Sequence, residues 1–314
     1  MKQLSLVICV YNEELNIKPL SEQIRKALAG MDYEAIFVDD GSTDKTREEI
    51  RNIRDEHFVL LELKRNYGQS SALQAGIDQA TGKYVALIDG DLQNDPADIP
   101  MMLNMLREGD WDMVAGVRAN RKDGAFLRKI PSKIANYIIR ESTGTKMKDL
   151  GCTLKVFTSE AVKSIHIYGE LHRFIPVLLA FEGSTRMTQV DVNHRAREFG
   201  HSKYNLGRTT RVFSDLLLML FFRRYMQRPM HFFGALGMVF FFIGILINGY
   251  LLFLKVLGQD IWGKPILILG LMLFIAGIQF ITIGIIAEIQ IRTYFESQQK
   301  TPYRIRKISS TVER

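Results

Sequence analysis

Cysteine is scarce. The 314 residues hold two, Cys9 and Cys152, far apart and in no metal-ligand spacing. A disulfide framework or a zinc site is not expected, and both read as small core residues. There are no internal repeats, no low-complexity linker and no stretch with the layout of a signal peptide. The opening apolar run, Leu4 to Val10, is short and is followed at once by Asn12, Glu13 and Glu14. Acidic residues are outnumbered, 34 against 41 Lys and Arg, leaving a net charge of +7. That excess would suit nucleic acid, but no nucleic-acid motif accompanies it and it gathers beside apolar segments. An anionic lipid surface is the simpler partner.

What the chain has instead is two long apolar runs. Phe232 to Leu254 and Pro265 to Ala287 contain no charged residue, and each exceeds the roughly 20 residues a helix needs to cross a bilayer. The short link Lys255 to Lys264 makes them a hairpin. Arg223, Arg224 and Arg228 precede it, and Arg292, Lys300, Arg304, Arg306 and Lys307 follow it. By the positive-inside rule the N-terminal region and the C-terminal tail are expected in the cytoplasm, the whole being an integral membrane protein. A hairpin buries little area alone, which favours association into a homo-oligomer.

Before the hairpin, strand-like and helix-like segments alternate. Strands are expected at Leu4–Val10, Tyr33–Val38, Phe58–Leu63, Tyr84–Ile88, Trp111–Gly116, Leu154–Phe157 and Met187–Val192. Helices are expected from Glu14 to Ala29, from a Thr43-Asp44 cap to Arg54, from Gln69 to Ala80, and after Asp95-Pro96 to Arg107. Further helices are expected at Ala125–Arg140, Ser159–Ser164 and Arg173–Phe181. The alternation predicts an α/β fold with a mostly parallel sheet. Arg208–Met226, with arginines flanking an apolar stripe, reads as an amphipathic helix in the membrane interface. The expected division is 1–207 catalytic domain, 208–229 interface helix, 230–290 transmembrane hairpin and 291–314 basic tail.

Ligands in such sheets bind beyond the carboxyl ends of the strands. Three polar clusters lie there: Asn12-Glu13, Asp39-Asp40, and Asp89-Gly90-Asp91. Two carboxylates separated by one glycine at a strand end suit a hard divalent cation, Mg²⁺ or Mn²⁺, held against a diphosphate. Alone, an Asp-x-Asp turn is a weak signal, and Asp39-Asp40-Gly41-Ser42 can equally be a turn and helix cap.

The motifs Val10-Tyr11-Asn12-Glu13-Glu14, Val38-Asp39-Asp40-Gly41-Ser42-Thr43-Asp44, Arg65-Asn66-Tyr67-Gly68 and Asp89-Gly90-Asp91-Leu92-Gln93 resemble, in order and spacing, those of the family 2 inverting glycosyltransferases of the GT-A, Rossmann-like fold. Gly200-His201-Ser202-Lys203-Tyr204 and the hairpin narrow the resemblance to polyprenyl-phosphate glycosyltransferases, over nearly the whole chain to about Tyr303. The resemblance implies transfer of one sugar from a UDP- or GDP-linked donor to undecaprenyl or dolichyl phosphate at the cytoplasmic face. It implies that Tyr11, Asn12, Glu13, Asp39 and Asp40 serve the nucleotide sugar and that Asp89, Asp91 and Gln93 hold the metal. Arg118, Arg128 and Ser132 would receive the acceptor phosphate. Arg197 and Lys203 would lie on a loop over the nucleotide. Asp89, Asp91 and Arg118 are the expected catalytic set. Asp149-Leu150-Gly151-Cys152-Thr153-Leu154-Lys155 departs from the Gly-x-Phe-Arg pattern of some relatives, so no catalytic role is assigned to Asp149.

Two other readings compete. A polysaccharide synthase would carry Gln-x-x-Arg-Trp, which is absent, the only tryptophans being Trp111 and Trp262. An inactive glycolipid scaffold or translocator is disfavoured by the intact Asp89, Asp91 and Gln93.

Overall fold

In a computed structural model of the protein, the described residues are 2–118, 147–169, 171–183, 186–196 and 229–297, with Tyr137, Glu141, Phe221 and Tyr225 besides. They belong to two compact units that divide between residues 217 and 218.

The first unit is built on a seven-stranded sheet. Its strands are β1 (Leu4–Val10), β2 (Tyr33–Asp39), β3 (Phe58–Glu62), β4 (Tyr84–Asp89), β5 (Met113–Arg118), β6 (Lys155–Thr158) and β7 (Met187–Val192), in the order β3-β2-β1-β4-β6-β5-β7. Around it lie α1 (Glu14–Ala27), α2 (Thr46–Arg51), α3 (Gln69–Gln79), α4 (Ile99–Glu108), α5 (Ser159–Lys163) and α6 (Ile175–Phe181). Pairs β1/β2, β1/β4, β2/β3 and β5/β7 are parallel, whereas β6 runs antiparallel to both β4 and β5. Every strand but β6 therefore points the same way.

β1 reads as an unbroken apolar run because both its faces are covered, as parallel strands require. Leu4, Leu6 and Ile8 join Ile17, Leu20 and Ile24 of α1 and Met102, Leu103 and Leu106 of α4 in one cluster. The opposite face carries Val7, against which α3 packs closely at Gly76. Each fully buried aliphatic side chain contributes about 1.5–3 kcal/mol.

The strand expected from Trp111 begins at Met113 instead. The Trp111 amide donates to the Leu106 carbonyl at 3.1 Å, and its indole lies over Gly109, where a Cβ would meet Nε1 at 2.1 Å. Trp111 closes α4 rather than entering the sheet. The helix expected from Arg173 is split by physical environment: a 3₁₀ turn, Leu171–Phe174, precedes α6, and Pro176 sits in the first turn of α6, where its missing N–H costs nothing. Apart from Tyr137, Phe221 and Tyr225, the helices expected at 125–140 and 208–226, and the tail beyond 297, lie outside the described residues.

The second unit contains α7 (Pro229–Val256) and α8 (Pro265–Ser297), both long and apolar enough to cross a membrane. They run antiparallel at close range. A Cβ on Gly277 would lie 2.5 Å from the Phe241 amide nitrogen and 2.7 Å from its Cα, so only a residue without a side chain permits this approach. Gly277→Leu is expected to cost about 1–3 kcal/mol by overpacking, read as a lower midpoint of unfolding of the detergent-solubilised chain. Gly249→Leu, with nothing within 4 Å of its Cβ position, is the control.

Candidate active site

The strand directions collect the polar segments on one edge. Tyr11, Asn12 and Glu13 follow β1, Asp40 to Ser42 follow β2, Asp91 to Gln93 follow β4, and Arg118 ends β5. Because β6 is reversed, the residues before it, Asp149 to Thr153, reach the same edge from its start. β1 lies between β2 and β4, so the chain's order reverses there, which is where open α/β sheets form their ligand crevice.

The β1 and β2 loops are locked to each other. Asn12 is left-handed, φ 52°, its amide donates to Ser42 Oγ at 2.9 Å, and its Oδ1 accepts from the Thr43 amide at 2.8 Å. Glu13 is buried, its Oε2 accepting from Asn16 Nδ2 at 2.5 Å and its amide donating to Thr46 Oγ1 at 2.9 Å. Tyr11 is half-buried beside them. Asp39 has no solvent exposure; it accepts from the Ser42 amide, 3.2 Å to each oxygen, and from Arg47 Nε at 2.6 Å.

Asp40 is engaged differently from Asp39. Its oxygens accept from the Tyr67 and Gly68 amides at 2.7 and 2.9 Å. Burial pushes its carboxyl above the ordinary range, those two amides pull it back, and Asp39 adds to the rise. Gly41 completes the junction. Its φ is 76°, and a Cβ there would lie 2.5 Å from the backbone of Arg65 and Asn66. The Asp39-Asp40-Gly41-Ser42 and Arg65-Asn66-Tyr67-Gly68 motifs are thus two halves of one contact.

Asp89 stands at the end of β4 between two donors, Gln69 Nε2 at 2.8 Å to Oδ1 and Thr153 Oγ1 at 2.6 Å to Oδ2. Asp91 is 8% exposed and accepts from the Gln93 amide at 3.2 Å. Between them and Gln93, Leu92 holds φ 61°, a conformation costly for a branched apolar residue. Burial of its side chain keeps the turn in that shape. Burial and the Asp91 charge raise the Asp89 carboxyl to about 6, against smaller opposing effects of Thr153, Lys155 and Arg118. Two carboxylates that repel each other in a desolvated corner are a donor set short of positive charge. Their hard oxygens fit Mg²⁺ or Mn²⁺. Among the described residues no group of three His, Cys, Asp or Glu forms a metal site, so phosphate oxygens and water would have to complete the ligand set.

The pH consequence has a definite sign. A raised carboxyl pKa favours the fold while protonated, and that contribution is lost as pH rises from about 4 through about 6. A divalent cation works against this loss, because it binds the ionised form and displaces the proton. With a pKa of about 6, apparent Mn²⁺ affinity is expected to be about four-fold weaker at pH 5.5 than at pH 7.5. Thermal shift with and without Mn²⁺ at the two pH values checks this; an equal shift at both would contradict it.

Arg118 is held in a two-pronged ion pair with Asp149, Nε to Oδ2 at 2.7 Å and Nη2 to Oδ1 at 2.9 Å. Asp149 also accepts from the Gly151 amide at 3.0 Å, and its carbonyl from Gln189 Nε2 at 3.0 Å. Gly151 lies close to the pair, since a Cβ there would come 3.0 Å from Arg118 Nη2. Opposite, the chain after β7 is stitched to the Asp91 turn. Asn94 and His194 form an antiparallel bridge, the Arg195 amide donates to the Gln93 carbonyl at 2.8 Å, and Arg195 pairs with Asp95.

Tyr11, Asn12, Glu13, Asp39, Asp40, Asp89, Asp91, Gln93 and Arg118 therefore share one edge of the sheet. Arg128, Ser132, Arg197 and Lys203 lie outside the described residues. Sequence reasoning passed over Gln69, Thr153 and Lys155. Gln69 and Thr153 carry no signal of their own. Lys155 opens β6 ahead of apolar Val156 and Phe157, and its burial likewise has no signal in the sequence.

A sheet of this topology, with paired aspartates at the turn after β4, is that of a GT-A-type transferase. The chain belongs to glycosyl transferase family 2, whose pattern matches residues 5–165, and it is a glycosyltransferase. Dodecaprenyl-phosphate galacturonate synthase of Rhizobium johnstonii is 46% identical over 313 residues, covering 98% of this chain and 93% of that protein. Undecaprenyl-phosphate 4-deoxy-4-formamido-L-arabinose transferase of Yersinia pestis is 34% identical over 315 residues, covering 98% and 94%. Among solved structures, glucosyl-3-phosphoglycerate synthase of Mycobacterium tuberculosis with Mn²⁺, uridine diphosphate and product superposes with a TM-score of 0.55 at 20% identity, covering 71% of this chain and 80% of that one. That likeness concerns the fold alone.

Proposed function

We propose that this enzyme transfers a single sugar, with inversion, from a nucleoside-diphosphate donor to a polyprenyl phosphate at the cytoplasmic membrane face. The observation that carries the reading is the shared edge: the Asp89-Gly90-Asp91 turn and the Arg118–Asp149 pair flank the same crevice, one suited to a diphosphate and the other to a monophosphate. Similarity to polyprenyl-phosphate sugar transferases over 98% of the chain supports the lipid acceptor. The apolar hairpin supports a membrane location, with 1–207 as the catalytic part, 208–229 at the interface and 291–314 in the cytoplasm.

Asp91 and Asp89, with Gln93, would hold Mg²⁺ or Mn²⁺, which neutralises charge on the departing diphosphate. Both carboxylates already accept hydrogen bonds, Asp89 from Gln69 and Thr153 and Asp91 from the Gln93 amide, and an oxygen that accepts one bond keeps a second lone pair for a cation. The bond from the anomeric carbon to the donor phosphate breaks as a bond from that carbon to an acceptor phosphate oxygen forms on the opposite face. The acceptor is already an anion, so no strong general base is needed. Arg118 offsets its charge and orients it by planar donors. A uronic acid or a formamido pentose is the sugar class that the relatives' names favour.

The test is a donor panel. Full-length protein in detergent, with Mn²⁺ and radiolabelled UDP- and GDP-sugars including UDP-galacturonate, should label undecaprenyl phosphate from one donor class. No labelled lipid from any donor would sink the reading.

A further inference from the structure

Lys155 is a lysine in the wrong solvent. It opens β6 at 2% exposure, followed by buried Val156 and Phe157. Burying an ammonium costs several kcal/mol unless its charge and protons are well matched, and a methionine would fill the volume without that cost. Its Nζ donates to the carbonyl of Cys152, three residues back, so the cation closes the turn by which the chain enters β6. Burial depresses its proton affinity, while Asp149 and Asp89 favour the charged form.

That turn belongs to a segment serving both sides of the crevice. The β4/β6 ladder pairs Tyr84 with Thr158 and Leu87 with Lys155. Continued two residues further, the same antiparallel register sets Thr153 opposite Asp89, and Thr153 Oγ1 donates to Asp89 Oδ2 at 2.6 Å. At the other end of the segment Asp149 holds Arg118 at 2.7 and 2.9 Å. Among the described residues, Asp89 and Arg118 each hydrogen-bond to this one segment. The five residues 149–153 thus join the two in space, and Lys155 fastens them to the sheet.

We propose that Lys155 is a positioning residue for sugar transfer: by pinning the Cys152 carbonyl it sets segment 149–153 so that Thr153 orients Asp89 and Asp149 orients Arg118. This rests on the assignment of Asp89 to the donor and Arg118 to the acceptor. Lys155 touches neither substrate; it keeps the two halves of the site in register, a task in which a displacement of 1 Å can cost about 10²-fold in rate.

The experiment uses full-length protein in detergent, with donor and acceptor varied independently, and Mn²⁺ binding read by electron paramagnetic resonance in the presence of uridine diphosphate. Lys155→Met should unfold at the parental temperature or above it, yet lose about 30-fold or more in kcat, with both KM values raised and Mn²⁺ bound more weakly. Lys155→Arg should recover part of that loss. Thr153→Val should alter the Mn²⁺ affinity and donor KM alone, and Asp149→Asn the acceptor KM alone. Because Lys155 acts through Thr153, adding Thr153→Val to Lys155→Met should weaken Mn²⁺ binding no further. A folded Lys155→Met with parental constants and Mn²⁺ affinity overturns the proposal, as does full additivity of the pair. If Lys155→Met does not fold, Thr153→Val decides: parental Mn²⁺ affinity in that variant overturns the proposal. Should the parent transfer no sugar to polyprenyl phosphate, the functional reading fails, while the Mn²⁺ measurements still judge Lys155.

Discussion

Asp91→Asn is expected to lower transfer by about 10³-fold, close to 4 kcal/mol in the barrier, without damaging the fold. The asparagine keeps an oxygen where Asp91 Oδ1 accepts the Gln93 amide, so the turn through left-handed Leu92 survives. What disappears is one negative charge. Without metal, Asp89 loses the like-charged neighbour that raises its pKa, so the metal-free variant should melt at or slightly above the parental temperature. Mn²⁺ should then fail to raise that temperature. The pairing of lost activity with retained stability is the diagnostic; parental turnover in a folded Asp91→Asn would remove the metal assignment.

Arg118→Ala should lower kcat/KM for the lipid phosphate by about 10²-fold while the donor KM stays within about threefold. It should also destabilise the chain, because the part-buried Asp149 carboxylate, 11% exposed, would keep the Gly151 amide but lose its cation, a loss of about 1–3 kcal/mol. The two effects separate in the double variant. Arg118→Ala with Asp149→Asn should regain most of the stability and none of the acceptor recognition. Arg118→Lys keeps a cation but loses the two-pronged geometry, so an intermediate acceptor KM is expected. Unchanged acceptor kinetics in Arg118→Ala would move the lipid phosphate elsewhere on the edge.

Much of the first half of the fold is legible in the sequence. β1, β2 and β4 are apolar runs closed by polar turns, and their ends fall within a residue of expectation. Trp111 was misplaced because β-propensity favours aromatics in strands, while its actual partner, the Leu106 carbonyl at the end of α4, is a tertiary fact. The direction of β6 left no trace in Lys155-Val156-Phe157-Thr158, since a four-residue strand has the same alternation read either way. Asp39 and Asp40 look alike on paper. One is buried against Arg47 and the other ties down the Tyr67-Gly68 backbone, a distinction made by loops that meet only on folding.

The sequence by itself determined the place of Asp89-Gly90-Asp91 at a strand end and the apolar hairpin, because short-range order and apolar length suffice for both, and its motifs carried the family resemblance that gave the class of chemistry. Pairings at long separation belonged to the tertiary structure. Arg118 reads in the sequence as a cation for phosphate, but the fold sets it against Asp149, and Lys155, to which the sequence assigns no role, is buried under the site by the fold. Charge pairing and burial depend on which residues the sheet brings within a few ångströms, and no local pattern encodes that.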